Sequence, residues 1–193
     1  MDAILDGAEA LLVEVGYAAI TTRKLAERAG VNHGLVHYYF GSMEEVFLQV
    51  LERYTARLTA RQRALYAGDA PFIEKWRVAM SHLVADEELE YQKIWYELQA
   101  MAWSRPEMRA RVGRVLDEWQ SVLGPAIREG LRELGVDGRR YPADAIVSLV
   151  VTFNEGVMLE RLMGVDSGHQ QLLQMIDRML VRLERAHVKG VAR

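Results

Sequence analysis

Residues 25–32, Leu25-Ala26-Glu27-Arg28-Ala29-Gly30-Val31-Asn32, read as the end of a short helix, a tight glycine turn and the cap of a new helix. Gly30 supplies the left-handed conformation that ends a helix, and Asn32 is among the residues that start one best. Two helices joined by so short a turn lie across each other as in a helix-turn-helix, whose second helix enters the DNA major groove. On that second helix, at about 100° per residue, His33, Gly34, His37 and Tyr38 share one arc while Leu35, Val36 and Tyr39 fall opposite. The first arc is expected to read and the second to pack on Leu25, Ala29 and Val31, with Phe40 closing the small core. Gly34 lets the helix backbone approach a phosphate or base edge.

Outward from this point the chain is helical throughout. Apolar residues recur at three and four, strand-like alternation is nearly absent, and there are only four prolines. Upstream, Ile4, Ala8, Leu11, Leu12 and Val15 form one stripe that Gly16 ends, and Thr21 or Thr22 caps the next helix. Downstream, Ser42-Met43-Glu44-Glu45 has capping-box spacing: the serine should take the N–H of Glu45 and the Glu45 carboxylate should reach back. A long helix then runs to about Tyr66, and Gly68-Asp69-Ala70-Pro71 breaks it. Turn residues divide the remainder into helices of about 71–85, 88–103, 106–134, 142–164 and 168–188, with Val188 to Arg193 fraying. The expected fold is all-α with about nine helices, a helix-turn-helix domain over 1–45 and a larger helical domain over 46–193.

Composition narrows the chemistry. The 193 residues are 50% hydrophobic and 26% charged, enough for a sizeable core. The absence of cysteine removes disulfides, thiolate metal sites and cysteine nucleophiles. The start lacks the pattern of a signal peptide, and no apolar run approaches the ~20 residues that span a bilayer, so a cytoplasmic location with no membrane partner is expected. The net charge is −3, and residues 1–45 carry Arg23, Lys24 and Arg28 against seven carboxylates, so the reading head is acidic. Helix N-termini at Thr22 and Asn32 can offset this by offering backbone N–H groups to phosphates.

Ile20-Thr21-Thr22-Arg23-Lys24-Leu25-Ala26-Glu27-Arg28-Ala29-Gly30-Val31-Asn32-His33-Gly34-Leu35-Val36-His37-Tyr38-Tyr39-Phe40, followed by Gly41-Ser42-Met43-Glu44-Glu45-Val46, resembles the N-terminal domain of the TetR family of repressors. The likeness covers about 45 residues in sequence, and the remainder in helical layout only. It implies phosphate contact from Thr22 and groove contacts from Asn32, His33, Gly34, His37, Tyr38 and Tyr39. Tyr39 has a second reading, as an aromatic helix end packed on the fourth helix. The chain departs from the family in having His33 and Met43 where lysine is common and His37 where tyrosine is common. His33 and His37 also have the i, i+4 spacing of two metal ligands, but glutamate is missing at Gly34 and no third ligand is near in sequence, so no metal or cofactor is expected.

All four tryptophans and most methionines lie beyond residue 70. Singly, such residues at helical spacing read as core. As a set, Trp95, Leu98, Gln99, Met101, Ala102, Trp119, Leu123, Phe153, Asn154 and Met158 have the mostly apolar character of a small-molecule site. The resemblance implies an inducer pocket in this region. The eighth and ninth helices are apolar on more than one face, which places Val147, Val150, Val151, Gly156, Leu172, Ile176, Met179 and Leu183 at a homodimer seam. The expected partners are a double-stranded DNA operator, a small, largely apolar effector and a second copy of the chain. An all-helical enzyme and a helical adaptor without DNA binding are the rival classes. The first lacks a visible nucleophile or phosphate loop, and salt-dependent DNA binding separates the second.

Overall fold

A computed structural model of the chain describes residues 1–83 and 89–191. The described residues form nine α-helices and one 3-10 turn: α1 (Asp2–Val15), the turn Tyr17–Ala19, α2 (Thr22–Ala29), α3 (His33–Phe40), α4 (Met43–Ala67), α5 (Phe72–Leu83), α6 (Leu89–Ala102), α7 (Pro106–Glu133), α8 (Ala143–Leu162) and α9 (His169–Val191). The all-α expectation holds. Helix α9 runs on to Val191, so Val188 to Val191 are helical where fraying was expected. Apolar spacing weakens there, but Arg185, Ala186 and Lys189 favour helix and His187 packs over Gly135. The acidic break expected between α5 and α6, and residues 192–193, lie outside the described residues.

The chain forms two compact units, Met1–Leu58 with Asp86–Leu116, and Thr59–Ala85 with Asp117–Arg193. In the first, α1 packs on α2 and α2 on α3. Ile4, Leu5, Ala8 and Leu12 of α1 are buried with Leu25 and Ala26 of α2, Val36 and Phe40 of α3, and Val46, Phe47 and Val50 of α4. Burying one such aliphatic or aromatic side chain contributes about 1.5–3 kcal/mol, which fixes these short helices where propensity alone would not. Arg53 and Arg57 of α4 bind Asp6 and Glu9 of α1, at 2.7 Å for Arg53–Asp6 and 2.9 Å for Arg57–Glu9.

The second unit is built on Phe72, Ile73, Trp76 and Met80 of α5, Leu123, Ile127 and Leu134 around the second half of α7, and Val147 and Val150 of α8. Leu173, Ile176, Leu180 and Val181 of α9 pack against this core half-buried. Gly130 permits the closest approach, because a Cβ there would lie 2.4 Å from the Phe72 ring. The Phe72 N–H donates to Glu133 at 2.9 Å, satisfying an open donor at the start of α5. Arg77 grips Asp177 through two hydrogen bonds of 2.6 and 3.1 Å, tying α5 to α9.

Candidate functional site

The turn before α3 takes the form expected from the glycine. Gly30 is left-handed (φ 65°, ψ 31°), and its N–H and that of Val31 close back on the last carbonyls of α2. Of the two threonines, Thr21 is the cap: its hydroxyl accepts from the Lys24 N–H at 3.3 Å, while Thr22 is the first helical residue and is half-buried. Asn32 caps α3 by accepting from the Gly34 N–H at 2.9 Å. One lone pair of its carboxamide oxygen is thereby used, and the second lone pair and the amide N–H groups of Asn32 remain to contact DNA.

On α3 only Val36 and Phe40 are buried. Leu35, expected on the packed face, is 40% exposed and Tyr39 is 47% exposed. The cause is narrow contact: a two-turn helix resting on α2 buries one i, i+4 pair and leaves its flanks out. His33, Gly34, His37 and Tyr38 are all exposed, Tyr38 at 80%. The Tyr38 ring meets Tyr39 edge-on, with centroids 5.2 Å apart. The His37 Nδ1–H donates to the Gly41 carbonyl at 3.2 Å, which fixes the proton on Nδ1 in the neutral ring and leaves Nε2 as its acceptor. Such a face can offer acceptors, donors and an aromatic edge to base pairs.

Each cation of the head has a protein partner. Arg23 pairs with Glu27 at 3.1 Å, Arg28 with Glu14 at 2.6 Å, and the Lys24 ammonium donates to the Ala19 carbonyl at 3.0 Å. At the start of α4, Ser42 takes the Glu45 N–H at 3.2 Å as the capping box requires. The other half of the box is not made by Glu45, whose carboxylate instead accepts from Arg111 of α7 and from Gln49. A guanidinium outbids a single backbone N–H for a carboxylate.

The residues expected to hold an effector are divided between the units. Trp95, Leu98 and Ala102 are buried and Gln99 and Met101 half-buried in the first unit; Leu123 and Met158 are buried and Trp119, Phe153 and Asn154 half-buried in the second. Within the second unit a largely different set, including Trp76, Leu131, Val150, Ile176 and Leu183, lines an apolar cavity of about 360 Å³, and of the expected residues only Phe153 belongs to it. Periodicity marks all these residues as apolar and gives no sign of which pair of helices leaves a gap. Two buried acceptors of this unit, Gln62 Oε1 and Asn154 Oδ1, have no partner among the described residues.

Of the seam residues, Val147 and Val150 belong to their own core; Val151, Leu172 and Ile176 are half-buried; Gly156, Met179 and Leu183 are exposed. Leu149 and Met175, not anticipated, are also exposed on α8 and α9. Among the described residues no group of three His, Asp or Glu could hold a metal ion, and no helix is long and apolar enough to cross a membrane.

Residues 4–50 match the family described as bacterial regulatory proteins, tetR family. The transcriptional repressor AcnR of Corynebacterium glutamicum is 28% identical over 155 residues, covering 80% of this chain and 76% of AcnR. The repressor KstR2 of Mycobacterium tuberculosis is 31% identical over 134 residues, covering 66% of each chain. The transcriptional regulator FadR from Bacillus subtilis, solved in complex with stearoyl-CoA, shares the fold with a TM-score of 0.66 at 18% identity, over 95% of this chain and 96% of that one. With a matched head of this geometry and named repressors among its relatives, the chain belongs to the TetR family of bacterial regulatory proteins.

Proposed function

We propose that this protein is a transcriptional repressor that binds a pseudo-palindromic operator as a homodimer and is released by a small, largely apolar effector. The observation that carries the reading is α3 itself: a helix seated by Val36 and Phe40 that holds His33, His37 and Tyr38 outward, next to a close backbone approach at Gly34. Thr22 and the N–H groups at the starts of α2 and α3 would position the phosphates, and Asn32 and Tyr39 would flank the groove contacts. Exposed Leu149, Met175, Met179 and Leu183 favour a seam between two copies through α8 and α9.

Effector binding is supported by the apolar cavity, whose lining does not include the two unpartnered acceptors. Release then requires that the effector prefer one of two separations of the reading heads. On this reading residues 1–45 read DNA, residues 46–193 sense and dimerise, and the protein works in the cytoplasm beside the chromosome. Selection of bound fragments from random double-stranded DNA tests it. The expected product is an inverted repeat with half-sites about one helical turn apart or slightly more. Recovery of no preferred sequence by a protein that sediments as a monomer would overturn the reading.

A further inference from the structure

We propose that Arg111 is a positioning residue for DNA recognition, setting the orientation of α3 by clamping the start of α4 through Glu45; the inference rests on the DNA-binding reading above. Arg111 stands one turn into α7, and its guanidinium reaches two carboxylates of α4 at once. Nη1 lies 2.8 and 2.6 Å from the two Glu45 oxygens, while Nε and Nη2 lie 3.0 and 2.8 Å from those of Glu52. These bonds use at most four of the five guanidinium N–H groups, Nε and Nη2 forking onto Glu52 along one edge of the plane and Nη1 alone serving Glu45.

Glu45 and Glu52 are seven residues apart, two turns along one face of α4, or about 10 Å. A contact at one point would let the helix pivot; two contacts to one rigid plane oppose both rotation and sliding. The partners are also shielded, with side-chain exposures of 26% for Arg111, 30% for Glu45 and 39% for Glu52. Exposed pairs such as Arg23–Glu27 and Arg132–Glu129 fix little by comparison.

What the clamp holds is adjacent to the reading helix. Helix α3 ends at Phe40 and α4 begins at Met43, leaving Gly41 and Ser42 as the whole connection. That connection is itself bonded at both ends, by Gly41 N–H to the His37 carbonyl at 2.8 Å and by Glu45 N–H to Ser42 at 3.2 Å. A turn of the α4 start is therefore transmitted to α3 rather than absorbed.

The test uses the full chain and the selected operator. Dissociation constants for operator and for a scrambled duplex are measured for the unchanged protein, Arg111→Gln, Arg111→Lys, Glu45→Gln and the Glu45→Gln/Arg111→Gln pair, below each variant's unfolding temperature. Failure of the unchanged protein to prefer the operator sinks the DNA-binding reading, and the clamp with it. If it does prefer the operator, Arg111→Gln should lose on the order of ten-fold in operator affinity, within the roughly 2- to 30-fold span of residues that couple sites, with scrambled binding unchanged. Glu45→Gln should lose a similar factor, the pair no more than Arg111→Gln alone, and lysine should restore part. Equal loss on both duplexes, multiplicative losses in the pair, or operator affinity unchanged in Arg111→Gln would overturn the proposal. Should Arg111→Gln fail to fold, Glu45→Gln, which removes one partly exposed charge, decides the same question.

Discussion

Replacing Tyr38 with alanine removes a side chain on which the fold scarcely depends and on which the proposed reading of DNA depends heavily. Tyr38 is 80% exposed, so the change behaves as a surface substitution, within about 0.5 kcal/mol. Its edge-on contact with Tyr39 adds at most ~0.5–1.5 kcal/mol, and less here because both rings face water. A side chain that discriminates one base pair is worth ~1–3 kcal/mol, or roughly 5- to 150-fold in Kd per half-site. The effect on DNA therefore exceeds the effect on folding. Thr22→Ala is the companion variant, and Thr21 rather than Thr22 caps α2, so the change leaves the cap intact. Anisotropy titrations on the operator, its single-base variants and a scrambled duplex separate the two. Tyr38→Ala should flatten the preference at particular base pairs, whereas Thr22→Ala should weaken all duplexes by a similar factor. A Tyr38→Ala protein that unfolds at the native temperature and keeps both affinity and base preference would refute the assignment of Tyr38 to the groove.

Met179 is 55% exposed, so Met179→Glu should leave the folded subunit intact while burying an unpaired charge in the proposed seam; sedimentation should show weaker association, and a monomeric parent protein would end the seam model. Gly130→Ala should lower stability by about 1–2 kcal/mol, because over-packing three atoms of the buried Phe72 ring outweighs the gain in helix propensity; an unchanged denaturation midpoint would contradict this. Burial alone would raise the Glu45 carboxyl, but hydrogen bonds from Arg111 and Gln49 and the Arg111 charge hold it below the ordinary value. A lowered folded value stabilises above the unfolded carboxylate range and is lost as pH falls through and below it, near ~4. Thermal unfolding should therefore show the parent losing stability on acidification more steeply than Arg111→Gln, and parallel curves would exclude the pair as the source.

The helices and their order were legible because glycine, proline and cap residues punctuate apolar stretches of a single period. What escaped that reading depends on partners distant in sequence. Spacing could not choose between Thr21 and Thr22, since both precede the same helix and only backbone geometry separates the cap from the first helical residue. Leu35 lies on the packed arc of α3 by angle, yet α2 is too short to cover it. Glu45 satisfies the local capping pattern while its carboxylate is taken by Arg111, 66 residues away. The exposed reading arc of α3 followed from periodicity, whereas the cavity of the second unit did not, because Trp76 and Leu131 differ from their core neighbours only in facing a gap.

The bonded cations of the head bear on how many copies of such a repressor a cell needs. Non-specific hold on DNA comes from neutralised phosphates, and a genome presents on the order of 10⁶ or more competing sites. Arg23 and Arg28 are already paired with carboxylates, Lys24 keeps its charge but spends one of its three N–H donors on a carbonyl, and the surrounding carboxylates oppose the approach of phosphates. On the proposed reading, bulk chromosome then holds fewer molecules than it would of a strongly basic binder. On the same reading, operator occupancy would follow from the base contacts of α3, so a small number of dimers would be enough to keep a promoter closed and a modest amount of effector enough to open it.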